Sequence, residues 1–580
     1  MAFSIPTTEQ RFVLQHVAQI HDLIGEGRFE TLSEDVIDAI VDGAAAFAEG
    51  EFAPLDRVED TVPAAYANGK VTMPAGYQEA YKAFVDNGWG TVAGPTDFGG
   101  QSLPYSLATI VLEDLGAANI GFSLVAMLTA GAVEAINAYG SDEQKGRWLP
   151  KLTTGQWPGT MNLTEPHAGS DVGALRTTAT PADGGLYKIR GQKIFITFGE
   201  HDLADNILHL VLARTPDAPA GTKGISLFLV PKFRLDEEGN PTIDNDVRCV
   251  SIEHKLGIHA SPTCVMSYGD EGGCLGELIG PENGGMRAMF TMMNNARINV
   301  GSQGLQVAER ARQQALAYAC ERVQSPRADG SSGAASVPII EHPDVRRMLL
   351  RMNALTQGAR ALVYYATGQA DRAHFGDDAA IARVNLLTPP VKAWCSDVGC
   401  EVASLGVQVH GGMGFIEETG AAQHYRDARI MPIYEGTNGI QAADLVGRKL
   451  MGDGGAALRD LLADIRAEAG DEPNLPALLA AVEEVADWMR AAPVNDRLTG
   501  SYPFLTMLSA LVAGWLMARQ ARIARSLKTR PDADAPFLAG KIGAARFFLD
   551  CLIPEALGLR ASAMAGADMV YGLSIEELTA

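Results

Sequence analysis

The chain has 580 residues, too many for one ordinary hydrophobic core, so several domains or layers are expected. With 47% hydrophobic and 20% charged residues it has a globular composition, which excludes a disordered or fibrous chain. A net charge of -23 argues against a nucleic-acid binder, which needs a basic footprint to neutralise phosphates, but an anionic small molecule held by local positive groups stays admissible.

The N-terminus, "MAFSIPTTEQRFVLQHV", lacks a basic region followed by an apolar core and cleavage site, so no signal peptide is expected. Residues 1–158 read as a helical domain: "EDVIDAIVDGAAAFAEG", "SLATIVLEDLG" and "AGAVEAINAYG" place apolar residues at three- and four-residue spacing. Two stretches, Leu115–Val133 and Leu498–Ala518, are each long enough to cross a bilayer without a charge. Both carry Gly, Ser, Thr or Asn, and the second holds Pro503, so helices buried in a large bundle are expected instead.

From 159 to 285 the pattern changes to short alternating or β-branched runs, "LYKIRGQKIFIT", "NILHLVLART", "KGISLFLVPKF" and "TCVMSYGD", separated by Gly, Pro and Asp. That spacing predicts a β domain. Long helical segments return over 286–450, interrupted by "SPRADGSSGAASVPIIEHP", an expected exposed loop. Residues 451–580 form a further Ala/Leu-rich helical extension, with breaks predicted at Asp471-Glu472-Pro473 and Ala491–Asn495. No fixed-period repeat is present. The seven cysteines include no C-x-x-C pair, which fits a reducing compartment and predicts neither a disulfide framework nor a metal site.

Five stretches do not read as packing. "MNLTEPHAGSD" (161–171) offers hydroxyls and free backbone N–H groups on a turn, suited to a polar ring or a phosphate, although taken alone a plain turn is the preferred reading. "GQKIFITFG" (191–199) is an apolar strand ending near Thr197, and "EHKLGIHASPT" (253–263) combines Lys255 with small residues. "QVHGGMGF" (408–415) places a glycine pair where backbone can approach a ligand, or where a helix simply stops. In "RIMPIYEGTNGIQ" the isolated Glu435 reads either as a base or as a glutamate favoured by the dipole of a following helix.

Taken together, in this order and spacing, "TEPHAGSD", "GQKIFIT", "KLGIHASPT", "NNARINVGSQG", "QVHGGMGF" and "IYEGTNGIQ" resemble the acyl-CoA dehydrogenase family of flavoproteins over about residues 30–450. The resemblance implies an α+β multidomain fold: an N-terminal helical domain, a central β domain and a C-terminal four-helix bundle, here followed by an extra helical domain. It also implies FAD between β domain and bundle, completed by a neighbouring subunit. By this likeness Leu163 and Thr164 lie against the flavin ring, Phe195 and Thr197 cover its other edge, and Ser170 meets the flavin phosphate or the substrate's pantetheine. Arg322, Gln408, His410, Gly411 and Gly412 would hold the adenine, ribose and pyrophosphate, and Thr437 and Asn438 would reach the pyrophosphate. Arg297 and Gly436 would line the acyl-CoA site. The chain departs from the commoner family pattern at His167, where glycine is frequent, at Phe195, where tryptophan is usual, and in "ERVQSPRADG", which replaces a basic-Thr-Phe-Gly run.

The reaction this resemblance implies is α,β-dehydrogenation of an acyl thioester to the trans-2-enoyl-CoA. The α-hydrogen is a very weak acid, so its removal needs a positioned carboxylate and stabilisation of the enolate that develops. Glu435 is the expected base, its pKa raised by apolar neighbours such as Ile433 and Tyr434. In the family the thioester oxygen is held by a flavin ribityl hydroxyl and the backbone N–H of the glutamate.

Residues 451–580 carry 12 basic against 17 acidic side chains, yet "ARQARIARSLKTR" aligns Arg519, Arg522, Arg525 and Lys528 at three-residue spacing. A face pairing with acidic neighbours is the expected role of that stripe. With its extension the chain looks most similar to the bacterial 3-methylmercaptopropionyl-CoA dehydrogenases. That likeness implies a short thioether acyl-CoA as substrate, electron-transferring flavoprotein as acceptor, a cytoplasmic homodimer or homotetramer, and neither nucleic-acid nor integral-membrane association. The competing readings are a fatty acyl-CoA dehydrogenase of another chain length, an acyl-CoA oxidase, and a DNA-associated flavoprotein of the alkylation-response type.

Overall fold

The computed structural model describes residues 3–470, 472 and 474–580, so Asp471 and Pro473 of one expected break lie outside the described residues. The backbone gathers into two compact units. One joins the residues up to Glu30, with helix α1 (Thr7–Val13), to Arg297–Ala580; the other is Thr31–Ala296.

In the Thr31–Ala296 unit, helices α2 (Glu34–Phe47), α3 (Tyr77–Asp86), α4 (Tyr105–Ala118), α5 (Ile120–Tyr139) and α6 (Asp142–Thr153) precede the sheet. Local chemistry fixes their ends. Ser33 caps α2 by accepting from Val36 N–H at 3.3 Å, and α6 starts in a capping box between Ser141 and Gln144. The apolar stretch Leu115–Val133 is broken at Asn119, whose extended backbone and Oδ1, accepting from Phe122 N–H at 3.0 Å, end α4 and start α5. The helices Ile120–Tyr139 and Ser501–Leu527 have the length and hydropathy of membrane spans, but 83% of each apolar window is buried in the fold, which makes both core helices.

The sheet has eight strands: β1 (Gly159–Asn162), β2 (Thr178–Pro181), β3 (Leu186–Thr197), β4 (Leu208–Ala213), β5 (Ser226–Pro231), β6 (Val247–Ile252), β7 (Thr263–Tyr268) and β8 (Leu275–Ile279). Their order is β6-β7-β3-β8-β5-β4-β1, with β2 also on β3; all pairs are antiparallel except β1–β4. "LHLVLA" and "SLFLVP" are buried at every residue and form the sheet's core pair, β4 and β5. Long β3 alternates, so one face packs inward while the other stays accessible at its C-terminal end.

In the other unit, the long helices α7 (Gly285–Glu321, from Arg297 on), α8 (Pro343–Ala373) and α9 (Asp378–His410) pack side by side. Gly304 makes the α7–α9 approach feasible, since a Cβ there would sit 2.1 Å from the Cys395 carbonyl oxygen. Glu309 of α7 and Arg360 of α8, both about 1% exposed, join across the core at 3.0 Å. Short helices α10 (Ala421–Ala428) and α11 (Asn438–Asp444) follow.

The extension contributes α12 (Ala456–Glu468), α13 (Asn474–Ala491), α14 (Ser501–Leu527) and α15 (Ala535–Phe547). The α13 end at Ala491 and the Pro493 cap of the next turn match the break expected at 491–495. Buried α14 packs against α8, α9 and α11, so the extension completes the bundle rather than hanging from it. Of the basic stripe, Arg519 and Arg522 close on Glu468 at 2.8 and 3.4 Å, as the expected pairing with acidic neighbours requires, while Arg525 and Lys528 stay exposed. Buried Lys541 of α15 holds Glu9 of α1 at 2.6 Å, which ties the first helix to the extension.

Candidate active site

Glu435 occupies the turn between Tyr434 and α11. Its backbone is left-handed, φ +54°, and Gly436 follows at φ +85°. A left-handed glutamate costs about 1 kcal/mol of backbone strain, so its surroundings must hold it there. Three contacts do so. Arg297 Nε and Gln441 Nε2 donate to the Glu435 carbonyl oxygen at 3.4 and 3.3 Å, and Asn438 N–H donates to Pro432 O at 3.0 Å. Gly436 is required, because a Cβ would sit 2.8 Å from Gln441 Nε2. Thr437 Oγ1 then accepts from Ile440 N–H at 3.2 Å, capping α11.

Among the described residues the Glu435 carboxylate makes no hydrogen bond or ion pair. The residue is half-buried, with neighbouring atoms crowding it. Desolvation raises its pKa above the ordinary carboxylate range, against the pull of Arg297 and Lys392. Tyr434 beside it donates its hydroxyl to Gln303 Oε1. A helix thus starts three residues on, and a carboxylate made more basic by burial sits just before it.

Arg297 is 5% exposed and reaches toward Asp444, Nη1 to Oδ2 at 4.0 Å. Lys392, absent from the sequence expectations, is wholly buried and donates to Asn438 Oδ1 at 2.8 Å. Burial draws its ammonium down to about 7, against the charges of Glu435 and Asp397. The sequence signal was available: one lysine in the otherwise apolar "LLTPPVKAWC".

Asn438, expected at the pyrophosphate, departs from that expectation. It is 4% exposed, and its amide turns into the bundle toward Lys392, Ser396 and Asp397. His410 departs likewise: it is 5% exposed, stacks on Tyr318 at 4.4 Å and bonds the Gly406 carbonyl through Nδ1 at 2.7 Å. Packing claims both side chains because each lies on an inward face of its helix. Gln408, Gly411, Gly412 and Arg322 are exposed, and a Cβ on Gly411 or Gly412 would meet no atom within 4 Å.

In the Thr31–Ala296 unit, the remaining predicted residues sit around the end of β3. Phe195 is a 58% exposed aromatic at φ +60°, Thr164, Leu163 and Thr197 are half-buried, and Ser170 is exposed. An accessible ring beside two hydroxyl-bearing threonines suits a planar heteroaromatic with a polar edge, so these residues fit an isoalloxazine. A buried pair supports them. Lys193 Nζ donates to Glu165 at 2.8 Å and to the Leu163 carbonyl at 3.0 Å, while Glu165 also accepts from Arg176 N–H, Thr177 N–H and Thr177 Oγ1. Burial alone would raise the Glu165 pKa, but the Lys193 charge and these donors hold it below the usual range.

Family models cover nearly the whole chain. Those described as "Acyl-CoA dehydrogenase, N-terminal domain", "middle domain" and "C-terminal domain" match residues 35–156, 160–270 and 283–451. "Acetyl-CoA dehydrogenase C-terminal like" matches 461–574. The chain belongs to the acyl-CoA dehydrogenase family, FAD-dependent oxidoreductases of acyl-CoA thioesters. It is 46% identical to the 3-methylmercaptopropionyl-CoA dehydrogenase of Ruegeria pomeroyi, covering 96% of this chain and 97% of that one. It is also 37% identical to a butyryl-CoA dehydrogenase of Syntrophomonas wolfei, covering 90% of each. Caenorhabditis elegans ACDH-11, solved in complex with C11-CoA, shares the fold at a TM-score of 0.77 and 21% identity, over 94% of this chain and 92% of that one.

Proposed function

We propose that this enzyme oxidises 3-methylmercaptopropionyl-CoA to methylthioacryloyl-CoA with Glu435 as the base. The observation that carries the assignment of the base is the Glu435 carboxylate: unpaired among the described residues, on a half-buried residue, and made more basic by desolvation. The substrate rests on the identity to the Ruegeria enzyme across both chains.

In the reaction, the Glu435 carboxylate takes the α-proton while its backbone N–H steadies the thioester oxygen. FAD, when bound, accepts the β-hydrogen as hydride. The proton and the hydride together balance the new Cα=Cβ bond. Arg297 and Gln441 keep the Glu435 backbone in its left-handed turn, so that the carboxylate meets the α-carbon in one orientation. Gly436 leaves room for the acyl thioester beside the base. Leu163, Thr164, Phe195 and Thr197 would receive the flavin ring, and Ser170 a phosphate or pantetheine group. Arg322, Gln408, Gly411, Gly412 and Thr437 would hold the ADP half, with His410 and Asn438 supporting them from within the bundle. Electron-transferring flavoprotein is the proposed acceptor, and a cytoplasmic homodimer or homotetramer the proposed assembly.

The test is anaerobic flavin bleaching with butyryl-, isovaleryl-, palmitoyl- and 3-methylthiopropionyl-CoA. The last should reduce the flavin with the highest kcat/KM; a preference for palmitoyl-CoA overturns the substrate assignment.

A further inference from the structure

The extension does more than fill the bundle. Tyr502, at the start of α14, donates its hydroxyl to Asp397 Oδ2 at 2.5 Å. Asp397 Oδ1 accepts from Asn438 Nδ2 at 2.9 Å, and Asn438 Oδ1 accepts from Lys392 Nζ at 2.8 Å. Ser396 Oγ and the Ala393 carbonyl take up the rest of the Asn438 amide at 3.0 and 3.1 Å. Lys392 in turn faces Glu435 electrostatically. Three helices, α9, α11 and α14, thus contribute one hydrogen-bonded chain that begins in the extension and ends at Lys392, with Asn438 of the chain three residues after Glu435.

We propose that Tyr502 is a positioning residue for the dehydrogenation, acting through Asp397, Asn438 and Lys392 to hold Glu435 in its ionised, proton-accepting form. The proposal rests on Glu435 being the base. Arg297 of α7, Lys392 of α9 and Tyr434 face Glu435; Tyr502 of α14, Asn438 of α11, Lys392, Arg429, Cys395 and Cys400 face Asp397; Asp444, Arg448 and Lys449 face Arg297. Among the described residues the Lys392 ammonium has one hydrogen-bond partner, the Asn438 oxygen, so its charge depends on that carbonyl being oriented and polarised. Asp397 does both, by accepting from the other end of the same amide. Burial disfavours an ionised Asp397, and the Tyr502 hydrogen bond opposes that. Removing the hydroxyl makes Asp397 easier to protonate, which weakens the support of the Lys392 ammonium and lets the Glu435 pKa rise. The acid limb of kcat/KM, which reports the base in the free enzyme, then moves to higher pH.

The experiment uses the full-length holoenzyme with Tyr502→Phe, Asp397→Asn and Glu435→Gln. Tyr502 is 38% exposed, so its variant should fold. Two readouts are taken: the acid limb of kcat/KM, and the titration of the Glu435 carboxyl by difference infrared spectroscopy, its band assigned against Glu435→Gln. Both should move up by ~0.5 unit or more in Tyr502→Phe and Asp397→Asn. If both variants titrate within ~0.2 unit of the parent and only thermal stability falls, the network is structural and the proposal fails. The infrared titration reads Glu435 itself, so it decides the network separately. Parental flavin reduction by Glu435→Gln would instead overturn the assignment of the base.

Discussion

Arg297 holds Glu435 by its backbone: Nε donates to the Glu435 carbonyl oxygen at 3.4 Å, and no ion pair joins the guanidinium to the Glu435 carboxylate among the described residues. The arginine fixes where the carboxylate stands without neutralising it at contact distance. Arg297→Lys keeps the charge but shortens the donor, and a lysine ammonium lacks the fork that spans the Glu435 carbonyl and Asp444. It should lower kcat/KM by ~10-fold or more, as losing one charged hydrogen bond implies, with a smaller change in thermal stability. Steady-state kinetics beside a melting curve separates the two.

Glu435→Gln should retain bound FAD yet reduce flavin more than ~100-fold slower, the scale of a general-base contribution. The pH profile of the parent follows from the same group. Desolvation raises the Glu435 pKa, and only the carboxylate accepts the proton, so activity should fall on the acid side at a pH above the ordinary glutamate value of 4.5. A limb at or below 4.5 would contradict that environment. Stopped-flow reduction across pH measures it.

Lys193 sits under the loop proposed to meet the flavin, and Lys193→Met leaves the Glu165 carboxylate buried without its cation. Breaking such a pair should destabilise the Thr31–Ala296 unit by about 3 kcal/mol. Because Lys193 also holds the Leu163 carbonyl, FAD should be retained less well through gel filtration than in the parent. Full flavin content in the variant would separate the pair from the loop.

Glu309 makes a stability prediction with a definite sign. Burial alone would raise its pKa, but the charges of Arg312 and Arg360, with hydrogen bonds from Gln313 and Arg312, hold it at about 2. A lowered carboxyl stabilises the fold above its unfolded value of 4.5, and that stability is lost as pH falls from 4.5 toward 2. Glu309→Gln should therefore cost about 3 kcal/mol at neutral pH, where it removes the buried carboxylate charge that Arg312 and Arg360 share, and much less near pH 2. Denaturant melts of both proteins over that range give the difference.

The helix–strand–helix order and the family were legible in one dimension. Periodicities of 3.6 and 2 report elements that form along the chain, and the glycines and hydroxyls of "IYEGTNGIQ" mark a turn that local sterics dictate. The Leu115–Val133 stretch shows the limit of such signals: it was expected as buried helix and is so, but its division into two helices at Asn119 emerged only from the structure. Side-chain direction was also beyond reach. Asn438 and His410 occupy positions expected at the cofactor, yet their helices turn both inward, because a helix residue faces whatever its neighbouring helices leave uncovered. Lys392 had only the local signature of a lone lysine in an apolar run, and Tyr502 had none. They are separated from Glu435 by 43 and 67 residues, and only the packing of α9, α11 and α14 brings the extension's hydroxyl into one hydrogen-bonded chain with the lysine that faces the base. The sequence alone determined which chemistry this protein performs. The tertiary structure decided which charged groups gather around Glu435, since electrostatic coupling depends on distance through the folded interior and not on separation along the chain.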